Sequence, residues 1–425
     1  MIDSAPFSPM AGTPAAQVTR RPWSEVSDST GLIGACTLCL VLVWARAGGL
    51  STMAAMLLLL AVPALVMSIW TLLVEKAHLR ESTGLDFSVR LPWAEVMNIT
   101  RTTLIGLGAT FLLFAAGYFA LRSYSAPSYS LYLQAAAWIA PMVWILSPLY
   151  FIPTTRHMRE PRDGLWHFGK FASLNWRAAD RDKVREHLLS WTVKAFFLAF
   201  MISILPANVN GFLQADLFMA LVDPMASLQF LIRLSFLFDV CFGTIGYLMT
   251  FRVLDSHIRT ANPYLSGWVA ALSCYPPFLL MSTGGPMDYR TGTQEWTVWL
   301  AAHPTLLLVW GCAVLALAVL YAWATVVFGI RFSNLTHRGI ITAGPYRWFR
   351  HPAYTAKNLM WWMVHMPFLT TGSAGDAVRN CLLLALVNAV YYARAKTEER
   401  HLMADPRYRE YSRSEEHTSE LQSQR

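Results

Sequence analysis

The segment from Gly344 to Asn358 concentrates side chains that could bind a charged ligand. Its sequence, GPYRWFRHPAYTAKN, contains two arginines, a histidine and a lysine, and it leads directly into the apolar run LMWWMVHMPFL. Pro345 and Pro352 lack a backbone N–H, and proline also disfavours helical geometry in the residue that precedes it. The two prolines therefore predict irregular backbone beside the basic side chains, where free N–H and C=O groups are available to a ligand.

Two adjacent carboxylates follow further along the chain, in the sequence RAKTEERHLMADPRYREY, as Glu398 and Glu399. Two predicted helices separate them from Arg350, so the chain returns the carboxylates to the end of the helices at which Arg350 lies. Basic and acidic side chains would then meet at one end of a helical hairpin. Such a site suits a ligand that carries charges of both signs.

The composition of the whole chain indicates an integral membrane protein. Of its 425 residues, 55% are hydrophobic and only 14% are charged, whereas soluble proteins carry about 25% charged residues. The apolar residues form blocks such as MAAMLLLLAVPALVMSIWTLLV, which match the ~20 residues that cross a ~30 Å hydrocarbon core as a helix. We therefore predict an all-α integral membrane protein with about ten transmembrane helices.

The lysines and arginines predict the orientation of these helices. Most of the 34 Lys and Arg residues fall in alternate segments, and the opposite loops hold only Arg46, Arg122, Arg290 and Arg379. Because cytoplasmic loops are enriched in Lys and Arg, this pattern predicts an even number of spans with both termini in the cytoplasm. The net charge of +8 is therefore a topology signal, and nucleic acid is not expected as a partner. The predicted spans are 32–47, 53–74, 102–121, 129–151, 189–207, 226–250, 265–281, 298–328, 353–370 and 378–394.

Two of the predicted spans contain irregular features. Residues 353–370 include Lys357, His365 and Pro367, which favours a tilted or re-entrant helix that lines a cavity. Residues 265–281 include the sequence CYPPF, and its two consecutive prolines predict a kinked helix.

Two charged residues, Arg233 and Asp239, lie inside the apolar block 226–250. Charges within a bilayer are costly, so both are functional candidates. Six residues apart on a helix they point to different faces, and a direct ion pair between them is not expected. Either could line a pocket for a lipid head group.

Two stretches of the sequence resemble the isoprenylcysteine carboxyl methyltransferase family and the related phospholipid-type membrane methyltransferases. They are RFSNLTHRGIITAGPYRWFRHPAYTAKNLMWW and RAKTEERHLMADPRYREY. The family pattern is G-x-Y-x-x-x-R-H-P-x-Y at the start of a helix, followed by a helical hairpin that ends in E-E near the cytoplasmic surface. Ala356 departs from the pattern, because the family usually has glycine there. The matching residues are Gly344, Tyr346, Arg350, His351, Pro352, Tyr354, Glu398 and Glu399.

The resemblance implies S-adenosylmethionine as the cofactor, bound near the cytoplasmic surface in a pocket that the C-terminal hairpin completes. This cofactor carries a sulfonium, an ammonium and a carboxylate, and aromatic faces attract cations. No metal is implied. The resemblance assigns catalytic roles to Arg350, His351 and Tyr354. It assigns cofactor binding to Gly344, Pro345, Tyr346, His351, Pro352, Tyr354, Glu398 and Glu399.

The implied acceptor is a lipophilic small molecule or a lipid-attached group that enters from the bilayer. Methyl transfer then needs mainly alignment and the exclusion of water. Arg347 or Arg350 could hold an anionic acceptor through charge-assisted hydrogen bonds. The expected partners are this acceptor and membrane lipids.

The residues alone leave open two alternatives to methyl transfer. Sterol-reductase-type membrane enzymes share a similar R-H-x-N-Y-L-G-D segment and bind NADPH, but this chain has Ala353 and Lys357 in place of the Asn and Asp. A lysine could still bind the 2′-phosphate of NADPH. The second alternative is a non-catalytic membrane scaffold, in which Arg350 and its basic neighbours only anchor helices at the membrane interface.

The chain divides into segments of different character. Residues 1–31 form a polar N-terminal segment, 32–281 a multi-span membrane module, and 298–412 a methyltransferase-like membrane core. Residues 413–425 begin with RSEEHTSELQS, which matches the translation of a common sequencing-library adapter. We expect these last residues to be an artefact and exclude them from the interpretation.

Overall fold

A computed structural model describes residues 22–423 of the chain, apart from the side chains of residues 124–127 and 415–423. Residues 1–21 of the predicted polar segment therefore lie outside the described residues. The regular secondary structure of the described chain is almost all helical, with one two-stranded antiparallel sheet that pairs β1 (Thr260–Ala261) with β2 (Thr336–His337). Short 3-10 helices lie at Ala77–Leu79, Glu81–Thr83, Trp176–Ala178, Arg252–Leu254, Gly329–Arg331 and Gly344–Arg347. The α-helices are α1 Asp28–Ala47, α2 Thr52–Leu73, α3 Trp93–Ala120, α4 Arg122–Leu146, α5 Pro148–His157, α6 Gly164–Ala172, α7 Arg181–Leu213, α8 Leu217–Val222, α9 Pro224–Leu248, α10 Leu265–Leu272, α11 Trp296–Trp299, α12 Pro304–Val326, α13 Pro352–His365, α14 Ala374–Leu402 and α15 Pro406–Ser423.

Seven of the described helices are long and apolar enough to cross a membrane, namely α1, α2, α3, α4, α7, α9 and α12. Polar caps define where several of them begin. Ser27 caps α1 and Ser51 caps α2, and each side chain accepts a backbone N–H of the first turn, which satisfies a donor that has no partner within the helix. The prediction of an all-α integral membrane protein is confirmed.

The three remaining predicted spans take other forms. Residues 265–281 do not form a kinked span, because α10 ends at Leu272, ahead of the two prolines that cannot donate helical hydrogen bonds. Helix α13 has only 14 residues, about 21 Å, so it is shorter than the hydrocarbon core. Helix α14 has 29 residues and is long enough, but it is less apolar than the seven candidate spans.

The main hydrophobic core joins α1, α2, α7 and α9. Its fully buried members include Leu42, Leu59, Phe197 and Phe242. Helix α9 also packs along α12, and α12 packs along α13. The C-terminal region therefore rests directly on a helix of the preceding membrane module, and this contact places α9 beside the candidate site.

A close contact between α3 and α6 depends on two glycines. A methyl group at Gly106 would overlap the carbonyl oxygen of Leu165 and lie 2.9 Å from the backbone nitrogen of Gly169. Helices approach this closely only through small residues. Gly106→Ala is therefore expected to lower the free energy of unfolding by about 1–3 kcal/mol, the usual effect of overpacking. The measurement is thermal unfolding of the purified protein in detergent.

Gly117→Ala is the matched control for this substitution. Gly117 lies on the same helix, and a methyl group there would have no neighbour within 4 Å. Because alanine favours helix over glycine by up to about 1 kcal/mol, this variant is expected to be unchanged or slightly stabilised. Equal losses in both variants would mean that the contact between α3 and α6 has no part in stability.

Candidate cofactor-binding site

The chain between α12 and α13 contains no α-helix, as the prolines predict. A 3-10 turn at Gly344–Arg347 precedes Pro352, which opens α13. Gly344 has a φ of 55°, a backbone conformation that residues other than glycine rarely adopt. A methyl group on Gly344 would also lie 2.5 Å from Cγ1 of Val327. The glycine therefore permits both the turn and its close approach to the end of α12.

This irregular segment and helices α9, α12, α13 and α14 enclose a cavity of about 170 Å³. Five of the residues assigned from the sequence line it: Tyr346, Arg350, His351, Tyr354 and Glu398. The other four do not line it. Gly344, Pro345 and Pro352 are buried residues that do not face the cavity. Glu399 is not among the lining residues either.

The two adjacent carboxylates have different partners. The Tyr354 hydroxyl donates to Oε1 of Glu398 at 2.5 Å, and Nε of Arg394 lies 3.5 Å from the same oxygen. Glu399 instead contacts Nε2 of His351 at 3.0 Å and accepts from Lys396 at 2.8 Å. Glu398 is therefore the carboxylate of the cavity, and Glu399 fixes the orientation of His351.

Arg394 connects α14 to the loop before α13. It is 2% exposed, and its guanidinium donates to Oδ1 of Asn334 at 2.5 Å. It also lies over the ring of Tyr354, 5.1 Å from the centroid. The sequence interpretation missed Arg394, although a charge at the end of a predicted span and four residues before Glu398 was an available signal.

The membrane-facing end of the cavity contains two charged residues. Asp239 of α9 accepts hydrogen bonds from Tyr321 at 2.8 Å and from Thr325 at 2.5 Å. Lys357 of α13 lies 5.6 Å from the ring centroid of Tyr321 and 5.2 Å from that of Trp361. Asp239 was singled out in the sequence as an intramembrane charge, and it lines this cavity. Arg233 does not line it.

Two further arginines, both missed in the sequence, line the opposite wall. Arg338 is 3% exposed. Its guanidinium donates to several backbone carbonyls, among them those of Gly246 and Met249, each at 2.7 Å. Arg331 donates to Asp255 at 2.9 Å. Asp255 compensates the charge of Arg331, and backbone carbonyls accept the hydrogen bonds of Arg338, so both side chains are held in the wall of the cavity.

Helix α15 covers the cytoplasmic end of the cavity according to the predicted topology. The Tyr411 hydroxyl donates to the carbonyl of Tyr346 at 2.7 Å, and Arg350 donates to the carbonyl of Ser412 at 3.0 Å. Arg347 lies outside the cavity, where it pairs with Asp28 at 2.9 Å on the surface. Of the two arginines considered for an anionic acceptor, only Arg350 reaches the cavity.

These features define a multi-pass, all-α membrane protein with a polar cavity between its C-terminal helices. Residues 302–404 match the model of the isoprenylcysteine carboxyl methyltransferase (ICMT) family, which the sequence motifs already resembled. No curated protein and no solved structure matched the chain. The match covers less than half of the chain, and it supports a membrane methyltransferase. Asp239 of the cavity lies outside the matched region.

Proposed function

We propose that this protein transfers a methyl group from S-adenosylmethionine to a lipophilic or lipid-attached acceptor at the cytoplasmic face of the membrane. The observation that carries the proposal is the cavity lined mainly by residues of the ICMT-matched region, where Glu398 lies with Arg350 and His351 beneath apolar helices. A site with charges of both signs at the membrane boundary suits a zwitterionic cofactor and an apolar acceptor together.

The lining residues fit the charges of S-adenosylmethionine. Glu398 would bind its ammonium or a ribose hydroxyl, and Arg350 and His351 would bind its carboxylate. The rings of Tyr346 and Tyr354 would face the sulfonium, a cation–π contact of about 0.5–2 kcal/mol. When bound, the cofactor supplies a methyl group that the sulfonium already activates for displacement.

The chain contributes alignment and exclusion of water. The contacts of Tyr354 with Glu398 and of His351 with Glu399 tie the first turn of α13 to α14. His351 and Tyr354 also stack, with ring centroids 5.6 Å apart. A ligand between these side chains would meet a fixed wall, and such positioning lowers the barrier of an in-line displacement.

Substitution of the two carboxylates tests this assignment. Glu398→Gln is expected to weaken S-adenosylmethionine binding about tenfold or more, because a hydrogen bond to a charged group is worth about 1.5–3 kcal/mol. Glu399→Gln is expected to weaken it less, because Glu399 acts through His351. The measurement is calorimetric binding to detergent-purified protein that ends at Ser412.

Calorimetry with NADPH on the same samples separates methyl transfer from the reductase alternative. Glu160→Gln is the control, because Glu160 is exposed and lies outside the cavity, so it should bind the methyl donor as the unmodified protein does. NADPH binding without S-adenosylmethionine binding would contradict the proposal. Equal affinity in Glu398→Gln and the control would contradict the role of Glu398.

A further inference from the structure

A second cavity, of about 320 Å³, lies between α9, α12, α13 and the short α11. Its polar residues are Gln229, Arg233, Glu295, Thr297 and His365. Arg233 and His365 lie towards the start of α9 and the end of α13, and these two helix ends meet in one hydrophobic cluster. In the predicted topology this end faces the leaflet opposite the cofactor cavity.

Aromatic side chains separate the two cavities. The ring of Phe236, in the second cavity, lies 6.1 Å from that of Tyr321, in the cofactor cavity. Trp361 lines the second cavity and contacts Lys357 of the first, with 5.2 Å between the Lys357 ammonium and the ring centroid. The second cavity is thus a separate space with a polar mouth and an apolar inner end.

Two opposite charges at the mouth lack protein partners. Among the described residues, the side chains of Arg233 and Glu295 make no hydrogen bond and no ion pair with each other or with any other residue. Arg233 is an exposed residue of the apolar helix α9, about 14 Å along that helix from Pro224. A charge on such a helix calls for a counter-charge.

We propose that this cavity binds the head group of a zwitterionic phospholipid from the surrounding leaflet. Its phosphate contacts Arg233 and Gln229, and its ammonium contacts Glu295. Phe236 and Trp361 of the apolar wall contact the acyl chains. An anionic lipid would leave Glu295 uncompensated, and a cationic amphiphile would leave Arg233 uncompensated, so a head group with both charges fits best.

Native mass spectrometry of the detergent-purified protein tests this site. The protein is titrated with phosphatidylethanolamine or with phosphatidylglycerol of identical acyl chains, without any methyl donor. The unmodified protein is expected to prefer phosphatidylethanolamine. Arg233→Gln should weaken both lipids about tenfold, whereas Glu295→Gln should weaken only phosphatidylethanolamine and abolish the preference.

Two further variants complete the experiment. Arg233→Lys keeps the charge and should retain most of the binding, which separates loss of charge from loss of fold. Arg122→Gln removes another arginine that is assigned to the same membrane face, and it should bind both lipids as the unmodified protein does. Equal affinity of the unmodified protein for the two lipids would overturn the proposal, as would equal losses in Arg233→Gln and Arg122→Gln. Because no methyl donor is present, neither result depends on the proposed methyl transfer.

Discussion

Replacing Glu25 with glutamine is expected to lower the free energy of unfolding by about 3–5 kcal/mol, the usual cost of breaking a buried ion pair. Glu25 is 1% exposed. Its carboxylate contacts Arg259 at 3.1 Å, Arg407 at 3.2 Å and Arg331 at 3.4 Å. The substitution removes the negative charge and leaves the buried guanidinium of Arg331 with Asp255 as its remaining carboxylate partner.

The effect should extend to the cofactor cavity, because Glu25 also holds its wall. The backbone N–H of Glu25 donates to the carbonyl of Ile340 at 3.0 Å, and the N–H of Ile340 lies 3.4 Å from the carboxylate. Ile340 and Arg331 both line the cavity. Thermal unfolding and S-adenosylmethionine calorimetry in detergent would report the two effects on the same sample.

Asp28→Asn is the matched control for Glu25→Gln. Asp28 lies three residues further along and pairs with Arg347, but both side chains are more than half exposed. Exposed ion pairs contribute about 0–1 kcal/mol, so this variant should be nearly as stable as the unmodified protein. Similar losses in the two variants would contradict the assignment of a buried ionic cluster.

The pH dependence of the Glu25 effect has a defined sign. Burial by itself raises the pKa of Glu25, but the hydrogen bond from Arg259 and the charges of Arg259 and Arg331 lower it from 4.5 to about 2. A carboxyl whose pKa is depressed by folding stabilises the folded state above its ordinary pKa, and the contribution is lost as the pH falls towards the folded value. The stability difference between the unmodified protein and Glu25→Gln should therefore shrink between pH 4.5 and about 2.

The apolar helices were predictable from the sequence, because long hydrophobic runs determine them locally. The course of residues 265–281 was not, because hydropathy does not show where backbone polar groups find partners. Residues 265–281 are apolar enough to suggest a span, yet α10 ends at Leu272. The short α13 was anticipated as an irregular helix from Lys357 and Pro367, since both are unfavourable within a regular span.

The candidate site was predictable mainly where its residues form short sequence motifs. The spacing of Arg350, His351 and Tyr354 in one short segment indicated that these residues lie near each other. Whether Glu398 or Glu399 faces the cavity could not be read from adjacent positions, because this depends on the rotation of α14 about its axis. Asp239 reaches the cavity from a distant helix, so its position follows only from the packing of α9 on α12.

Arg338→Met is expected to have the other large effect, a loss of at least about 3 kcal/mol in the free energy of unfolding. The guanidinium donates to five backbone carbonyls, and each buried acceptor left without a donor costs about 1–3 kcal/mol. The substitution is also expected to abolish measurable S-adenosylmethionine binding, because Arg338 joins the cavity wall to the end of α9. The acceptors are the carbonyls of Gly246, Met249, Ser256, Ile330 and Phe332.

Two variants distinguish this role from a general loss of positive charge. Arg338→Lys keeps the charge but lacks the planar five-donor fork, so it should recover only part of the stability and of the binding in the same unfolding and calorimetry measurements. Arg347→Met removes an arginine from the same loop that is 57% exposed, and it should change stability by less than about 1 kcal/mol. If Arg338→Lys were as stable as the unmodified protein, charge alone would account for the residue. If Arg338→Met and Arg347→Met unfolded at the same temperature, the network of carbonyl contacts would not hold the cavity wall.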